Sequence, residues 1–355
     1  MTPKFHPLSI SQIRQESNEA ISVLFNIPDE LREDYRFIQG QHITLKSKVN
    51  GQELRRSYSI CSGVDDGEIR VAIKKVPGGA FSSWANSTLK SGDLIEVMTP
   101  EGKFHTQLDA GNQKHYVAFA AGSGITPILS IIKTTLQREP LSSFSLVFGN
   151  SRQSTILFQE DLEDIKNKYL TRFTIHNIFS REEQEIPLLN GRLDSKKVGE
   201  FLTSLLPISS IDEAFICGPG GMIDEVEGAL KGAGLDQGKI HLERFGVADG
   251  EMKHRVVAGD APQATITVIA DGLKRDVEFR EGDESILDVA LKSGMDLPFS
   301  CKGGVCNTCR CKVLEGKVRM DRNFALEPDD VEAGFVLSCQ SHPLTEKVVI
   351  SFDNR

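Results

Sequence analysis

Three cysteines within nine residues, Cys301, Cys306 and Cys309, followed by a distant Cys339, constrain this chain more than any other feature. A C-x4-C-x2-C run has to curl so that three thiols converge, while a separate segment returns with the fourth. That arrangement suits a [2Fe–2S] cluster held by all four thiolates. Lys302-Gly303-Gly304-Val305 supplies the turn. Gly303 and Gly304 are expected at φ > 0, wrapping the backbone around the cluster and directing N–H groups at its sulfurs. Zinc is the rival reading, but structural zinc sites mostly pair their ligands as C-x2-C at both ends. Cys311 competes with Cys309 for the third position. The x2 spacing selects Cys309 and leaves Cys311, in a strand beginning near Arg310, as a small buried hydrophobe close to the cluster.

The chain has 355 residues, seven cysteines and a formal charge of −9. Four cysteines belong to the motif, and Cys61, Cys217 and Cys311 have no evident disulfide partners, which suits a reducing cytoplasm. The N-terminus lacks an apolar signal core, and no run approaches a membrane span, so a soluble cytoplasmic protein without membrane partners is expected. Nucleic-acid binding needs a concentrated basic face, which an acidic chain of this pattern lacks. An acidic group, Glu327, Asp329, Asp330 and Glu332, falls between the last two cluster cysteines, where it forms a solvated face or steers a basic partner.

The length predicts three domains. Residues 1–111 carry short alternating strands (Ile21–Phe25, His42–Leu45, Ile69–Ile73) split by turn residues, an antiparallel β-barrel pattern. Residues 112–245 alternate apolar strands such as Val117–Ala121 and Ser145–Phe148 with helical stretches, an α/β domain with a parallel sheet. Residues 246–262 read as a polar, aperiodic linker. Residues 263–355 open with two strands and a helix over Ser285–Ser293 before the cysteine loop, an α+β ferredoxin (β-grasp) domain.

A redox cluster needs an electron source, and the first two domains carry motifs for one. Arg56-Ser57-Tyr58-Ser59 offers a guanidinium for pyrophosphate, an aromatic ring to pack on an isoalloxazine and a hydroxyl for flavin N5. Gly78-Gly79-Ala80-Phe81-Ser82 then opens a helix whose amides can cap a phosphate. Gly122-Ser123-Gly124-Ile125-Thr126-Pro127 follows the first strand of the α/β region, with Pro127 where the dinucleotide fingerprint has its third glycine. A second strand-to-helix loop, Cys217-Gly218-Pro219-Gly220, completes a frame for a dinucleotide.

Taken together, these motifs resemble a ferredoxin-NADP reductase-type flavoprotein fused to a C-terminal plant-type ferredoxin, over nearly the whole chain. Within that family, Glu53–Cys61, His241–Phe245 and Cys301–Cys306 are similar to reductase subunits of phenylacetyl-CoA epoxidases. The resemblance implies that FAD is bound by Arg56, Tyr58 and Ser59 with Ile73, Lys74, Gly79, Phe81 and Ser82. It implies that Gly122, Gly124, Thr126 and Pro127 hold the nicotinamide nucleotide, and that Ser59, Cys217 and Glu243 surround the nicotinamide and flavin N5 as positioning groups in catalysis. Phe245 stands where an aromatic terminus covers the flavin in plant-type reductases, although here the chain continues. Phe245 is read equally as a flavin cover or a core residue.

Arg152 and Arg181, after the second and third strands of the α/β region, are candidates for a 2′-phosphate, which favours NADPH over NADH. The chain shows no paired Glu-x-x-His motifs, so oxygen chemistry is expected in another polypeptide. The implied partner is a di-iron oxygenase component acting on phenylacetyl-CoA. A ring-hydroxylating dioxygenase or another monooxygenase is the alternative, and a non-catalytic redox or zinc module is the reading from a different class.

Overall fold

The computed structural model describes residues 4–246, 257 and 259–354. Six strands, β1 (Phe5–Ser17), β2 (Ala20–Asn26), β3 (His42–Val49), β4 (Gln52–Ser59), β5 (Ile69–Lys74) and β6 (Leu94–Met98), form one sheet in the order β4-β3-β6-β1-β2-β5. Alternate residues turn inward: Leu8 and Ile10 of β1, Ile43 and Leu45 of β3, and Ile69, Val71 and Ile73 of β5 are all buried. Ile60, just past β4, bridges Val71 of β5, and the Cys61 N–H donates to the Arg70 carbonyl at 2.8 Å. The two outer strands therefore meet, and the sheet curls into the expected antiparallel barrel. Helix α1 (Ala80–Thr88) buries Phe81 and Ala85 in the same core.

The second sheet contains β7 (His115–Ala121), β8 (Ser143–Asn150), β9 (Phe173–Phe179), β10 (Glu213–Cys217) and β11 (Ile240–Glu243), with the order β11-β10-β7-β8-β9 and every neighbouring pair parallel. Helices α2 (Ile125–Arg138), α3 (Gln159–Lys168), α4 (Ser195–Ser204) and α5 (Gly220–Gly232) cover it. Ala118, Ala120, Leu146 and Phe148 share a core with residues of α2 and α3, while Val117, Phe119 and Val147 pack with residues of α4 and α5. Two covered faces explain why these strands are almost continuously apolar. The strand order reverses about β7, so the loops after β7 and β10 leave the same carboxyl edge side by side, which is where open α/β sheets bind ligands.

Apart from Phe5 and Arg55–Ser57, barrel and parallel sheet belong to one compact unit and are joined by charges. Asp161 of α3 accepts from Arg14 of β1 at 2.5 Å and from Lys133 of α2 at 3.2 Å, and Lys133 also reaches Asp66 in the barrel. Arg138 at the end of α2 makes a two-pronged pair with Asp65, both distances 2.8 Å.

The C-terminal unit has β12 (Gln263–Ala270), β13 (Leu273–Arg280), α6 (Ile286–Lys292), β14 (Arg310–Glu315), β15 (Val318–Met320), α7 (Pro328–Glu332), β16 (Phe335–Leu337), β17 (Ser341–Pro343) and β18 (Lys347–Ser351). Its main sheet runs β13-β12-β18-β14-β16, with β12 and β18 parallel, and β15 pairs with β17. Ile266, Val268, Val348 and Ile350 enclose Ile286, Leu287 and Ala290 of α6, which is the β-grasp arrangement. Ser285 caps α6 by accepting the Asp288 N–H at 3.1 Å. Of the expected linker, residues 247–256 and 258 lie outside the described residues. Asp260 and Ala261 are built into the C-terminal unit: Asp260 pairs with Arg319, and the Ala261 N–H donates to the Pro343 carbonyl at 2.9 Å.

Candidate redox sites

The cysteine loop leaves α6 and ends where β14 begins. Cys301 and Cys306 form one thiol pair, Sγ to Sγ 3.1 Å. Cys309 and Cys339 form a second, hydrogen-bonded pair, tied further by Ser338, whose hydroxyl and N–H both donate to the Cys309 carbonyl. The hydrogen bond from Cys306 holds the Cys301 thiol down at about 6, with burial opposing and the N–H groups of Gly303, Val305 and Cys306 assisting. Amides therefore point at the Cys301 sulfur and favour its thiolate, whereas pairing with Cys301 and with Cys339, together with burial, raises the Cys306 and Cys309 thiols well above their ordinary value; metal binding has to displace those protons. Two adjoining thiol pairs fit a [2Fe–2S] cluster. Left-handed backbone occurs at Gly304 (φ 76°) and at Lys302 (φ 50°), whereas Gly303, expected to share it, does not adopt it. Cys311 is fully buried in β14, opposite Val336 of β16 and within the hydrophobic core.

The acidic run divides. Glu327, Asp329 and Glu332 are exposed, whereas Asp330 is held by Arg310 at 2.7 Å and caps α7.

In the flavoprotein unit, the end of β4 carries Tyr58, half-buried against Phe81, and Ser59. The Ser59 hydroxyl donates to Glu243 Oε2 at 3.0 Å. Glu243 ends β11 in register with Cys217, which ends β10, so three residues far apart in the chain converge. Glu243 keeps some exposed surface, yet the protein around it is dense, and burial pushes its carboxyl up to about 7 against smaller opposing effects of His42 and the Ser59 hydrogen bond. Cys217 is fully buried, and burial together with the Glu243 charge raises its thiol well above the ordinary value. A neutral thiol beside a carboxyl that titrates near neutrality is suited to positioning a hydride donor and ill suited to covalent attack. His42, buried in β3, is not singled out by the sequence; its influence comes from the fold, with no local pattern to announce it.

The remaining FAD candidates separate by which atoms they offer. Arg56 is exposed and Lys74 half-exposed, so their cations are accessible. Gly79 precedes α1, whose first N–H groups receive no side-chain cap, and Ser82 knots the turn by accepting the Val76 N–H and donating to the Gly79 carbonyl. Ile73 and Phe81, by contrast, have side chains in the barrel core, so only their main chain is available to a ligand. Phe245 is 43% exposed and so lies outside the core.

At the carboxyl edge, Gly122 adopts φ 54°, and a Cβ on it would lie 3.9 Å from Lys74 Nζ. A Cβ on Gly124 would stand 2.1 Å from the Cys217 carbonyl oxygen, so the two loops approach only because residue 124 lacks a side chain. Thr126 and Pro127 are buried in the first turn of α2, the Thr126 hydroxyl donating to the Ser123 carbonyl. Arg152 and Arg181 are exposed at the ends of β8 and β9, and their loops are stitched together by the Arg181 N–H donating to the Ser151 carbonyl at 2.9 Å. Among the described residues no helix is long and apolar enough to cross a membrane.

Three family models match in order: an oxidoreductase FAD-binding domain over residues 7–106, an oxidoreductase NAD-binding domain over 119–228, and a 2Fe-2S iron-sulfur cluster binding domain over 268–344. The chain belongs to the family of modular NAD(P)H-dependent oxidoreductases that unite FAD, nicotinamide and [2Fe–2S] domains for electron transfer. It is 48% identical to a subunit of the 1,2-phenylacetyl-CoA epoxidase from Escherichia coli (strain K12), across 98% of each chain. It is 33% identical to the ferredoxin reductase component of 3-ketosteroid-9-alpha-monooxygenase from Rhodococcus rhodochrous, across 97% of this chain and 96% of that one. Its fold matches that of phthalate dioxygenase reductase with a TM-score of 0.60 and 23% identity, covering 98% of both chains.

Proposed function

We propose that this chain takes electrons from NADPH and delivers them singly to the di-iron oxygenase component of a phenylacetyl-CoA 1,2-epoxidase in the cytoplasm. The observation that carries this reading is the 48% identity to a phenylacetyl-CoA epoxidase subunit, sustained over 98% of both chains. When bound, FAD accepts a hydride and the [2Fe–2S] cluster takes single electrons, so together they convert two-electron into one-electron delivery. The chain's own residues bind and orient. Arg56 and the N-terminal amides of α1 would hold the FAD pyrophosphate, and Tyr58 would pack on its ring system. Gly122 would admit a dinucleotide close to the main chain at the switch point, and Gly124 lets the two edge loops that would frame it approach each other. Ser59, Cys217 and Glu243 would fix the nicotinamide in a reactive pose, with the Glu243 carboxyl able to hold or release a proton near neutral pH. The exposed cations of Arg152 and Arg181, on adjoining loops, support NADPH over NADH.

The test is reconstitution: purified oxygenase subunits, phenylacetyl-CoA, NADPH and this chain should give epoxide, and omission of this chain should stop it. Turnover with a 3-ketosteroid or ring-hydroxylating oxygenase but none with phenylacetyl-CoA would move the assignment to the alternative partner, for which the 33% relative speaks.

A further inference from the structure

The cysteine loop contains a charge that its family-level description does not require. Lys302 follows the first ligand, and its backbone stands at φ 50°, which for a residue with a side chain needs support from the surroundings. Two independent ties provide it. The Lys302 ammonium donates to Asp288 Oδ1 on α6 at 2.6 Å, and the Lys302 carbonyl accepts from Gln340 Nε2 at 2.8 Å. Gln340 is buried and adjoins the fourth ligand, Cys339, whose carbonyl also accepts from its amide at 3.0 Å. Asp288 is buried too, and its second oxygen accepts from the Ser285 hydroxyl at 2.5 Å. The ammonium also lies 4.9 Å from the centre of the Phe299 ring. Lys302 is thus a three-way junction of the cysteine loop, helix α6 and the Cys339 turn.

We propose that Lys302 is a positioning residue of the iron–sulfur site: held by Asp288 and Gln340, it clamps the Cys301 turn against the Cys339 segment and, with Asp288, sets the local charge that the cluster experiences. This rests on the [2Fe–2S] reading of the four cysteines. Partners one step removed from metal ligands typically change metal affinity by about 10–100-fold when lost. The electrostatic part has a sign. Loss of the cation favours the oxidised, less negative cluster, and loss of the anion favours the reduced one.

The experiment uses the full-length holoprotein and three readouts other than turnover: cluster half-life in excess chelator, the electron paramagnetic resonance line shape after dithionite reduction, and the midpoint potential. K302M and D288N should each lose cluster about tenfold faster than the parent or more and show altered line shapes. Their potentials should move in opposite directions, down in K302M and up in D288N, and K302R should restore the parental half-life. Flavin absorbance of the same samples reports an intact flavoprotein unit. Because the buried Asp288 carboxylate also accepts from the hydroxyl of Ser285, the cap of α6, D288N could fail to fold; K302M, altered at a side chain 37% exposed, then decides. A parental half-life and line shape in K302M would overturn the clamp, and potential shifts of one sign in both variants would overturn the charge assignment. Absence of any iron–sulfur spectrum in the parent protein would instead remove the cluster reading itself.

Discussion

Ser59 and Glu243, 184 positions apart, share a hydrogen bond of 3.0 Å that runs from the end of a barrel strand to the end of the last parallel strand. Because burial lifts the Glu243 carboxyl from 4.5 to about 7, the folded state holds this proton more tightly than the unfolded chain does. The associated stability is fully present below about pH 4.5 and is lost as pH rises through about 7. Glu243→Gln, which keeps the site neutral, should therefore melt progressively higher relative to the parent between about pH 5 and 8. In stopped-flow measurements, the parent's flavin reduction by NADPH should change across a pH near 7, and the variant's should stay flat. A constant Tm difference and an unchanged pH profile would remove this role.

Gly124→Ala places a methyl group 2.1 Å from the Cys217 carbonyl oxygen, so one of the two edge loops has to retreat. Overpacking of this kind costs about 1–3 kcal/mol. The expected outcome is a protein that retains its flavin and iron–sulfur spectra, unfolds at a lower temperature and reduces its flavin with NADPH at least about tenfold more slowly. Normal reduction kinetics would show that the two loops need not approach.

Arg152 and Arg181 project from stitched loops at the ends of adjacent strands. Combined alanine replacement should raise KM for NADPH by about tenfold to a hundredfold, the range of a charge-assisted pair, and leave KM for NADH nearly unchanged. Equal effects on both nucleotides would dismiss a 2′-phosphate contact and favour NADH.

Cys309 and Cys311 are two residues apart, but Cys309 joins Cys339 in a thiol pair while Cys311 faces the core opposite Val336. Cys309→Ser should abolish the cluster's visible absorption, and Cys311→Ser should preserve it with a modest loss of thermal stability. The reverse pattern would exchange their assignments.

Much of this architecture is written locally. The C-x4-C-x2-C spacing, the period-2 strands around Val23, Ile43 and Val71, and the glycine loops at 122 and 218 depend on backbone rules that a short window reveals. What escapes a short window depends on tertiary packing. Ile73 and Phe81 match the pattern of cofactor contacts, but the barrel closes over their side chains, and no local pattern distinguishes a ring that faces a ligand from one that faces a core. Lys302 gives no local sign of its role because glycine is the ordinary signal for left-handed backbone, whereas here Asp288 and Gln340 stabilise that conformation from other segments. Asp330 has the sequence context of an exposed acidic face, yet Arg310, twenty positions earlier, folds beside it and takes it out of that face.

The Ser59–Glu243 bond also bears on how such enzymes can be recombined. A chimaera that kept this barrel and borrowed another protein's nucleotide sheet would retain Ser59, lose Glu243 and Cys217 together, and mismatch the charges of Arg14, Asp65 and Asp66 with those of Asp161, Arg138 and Lys133. The natural cassette for exchange is the barrel and sheet as a pair, with the cut made after Phe245, where the flavoprotein's compact unit ends.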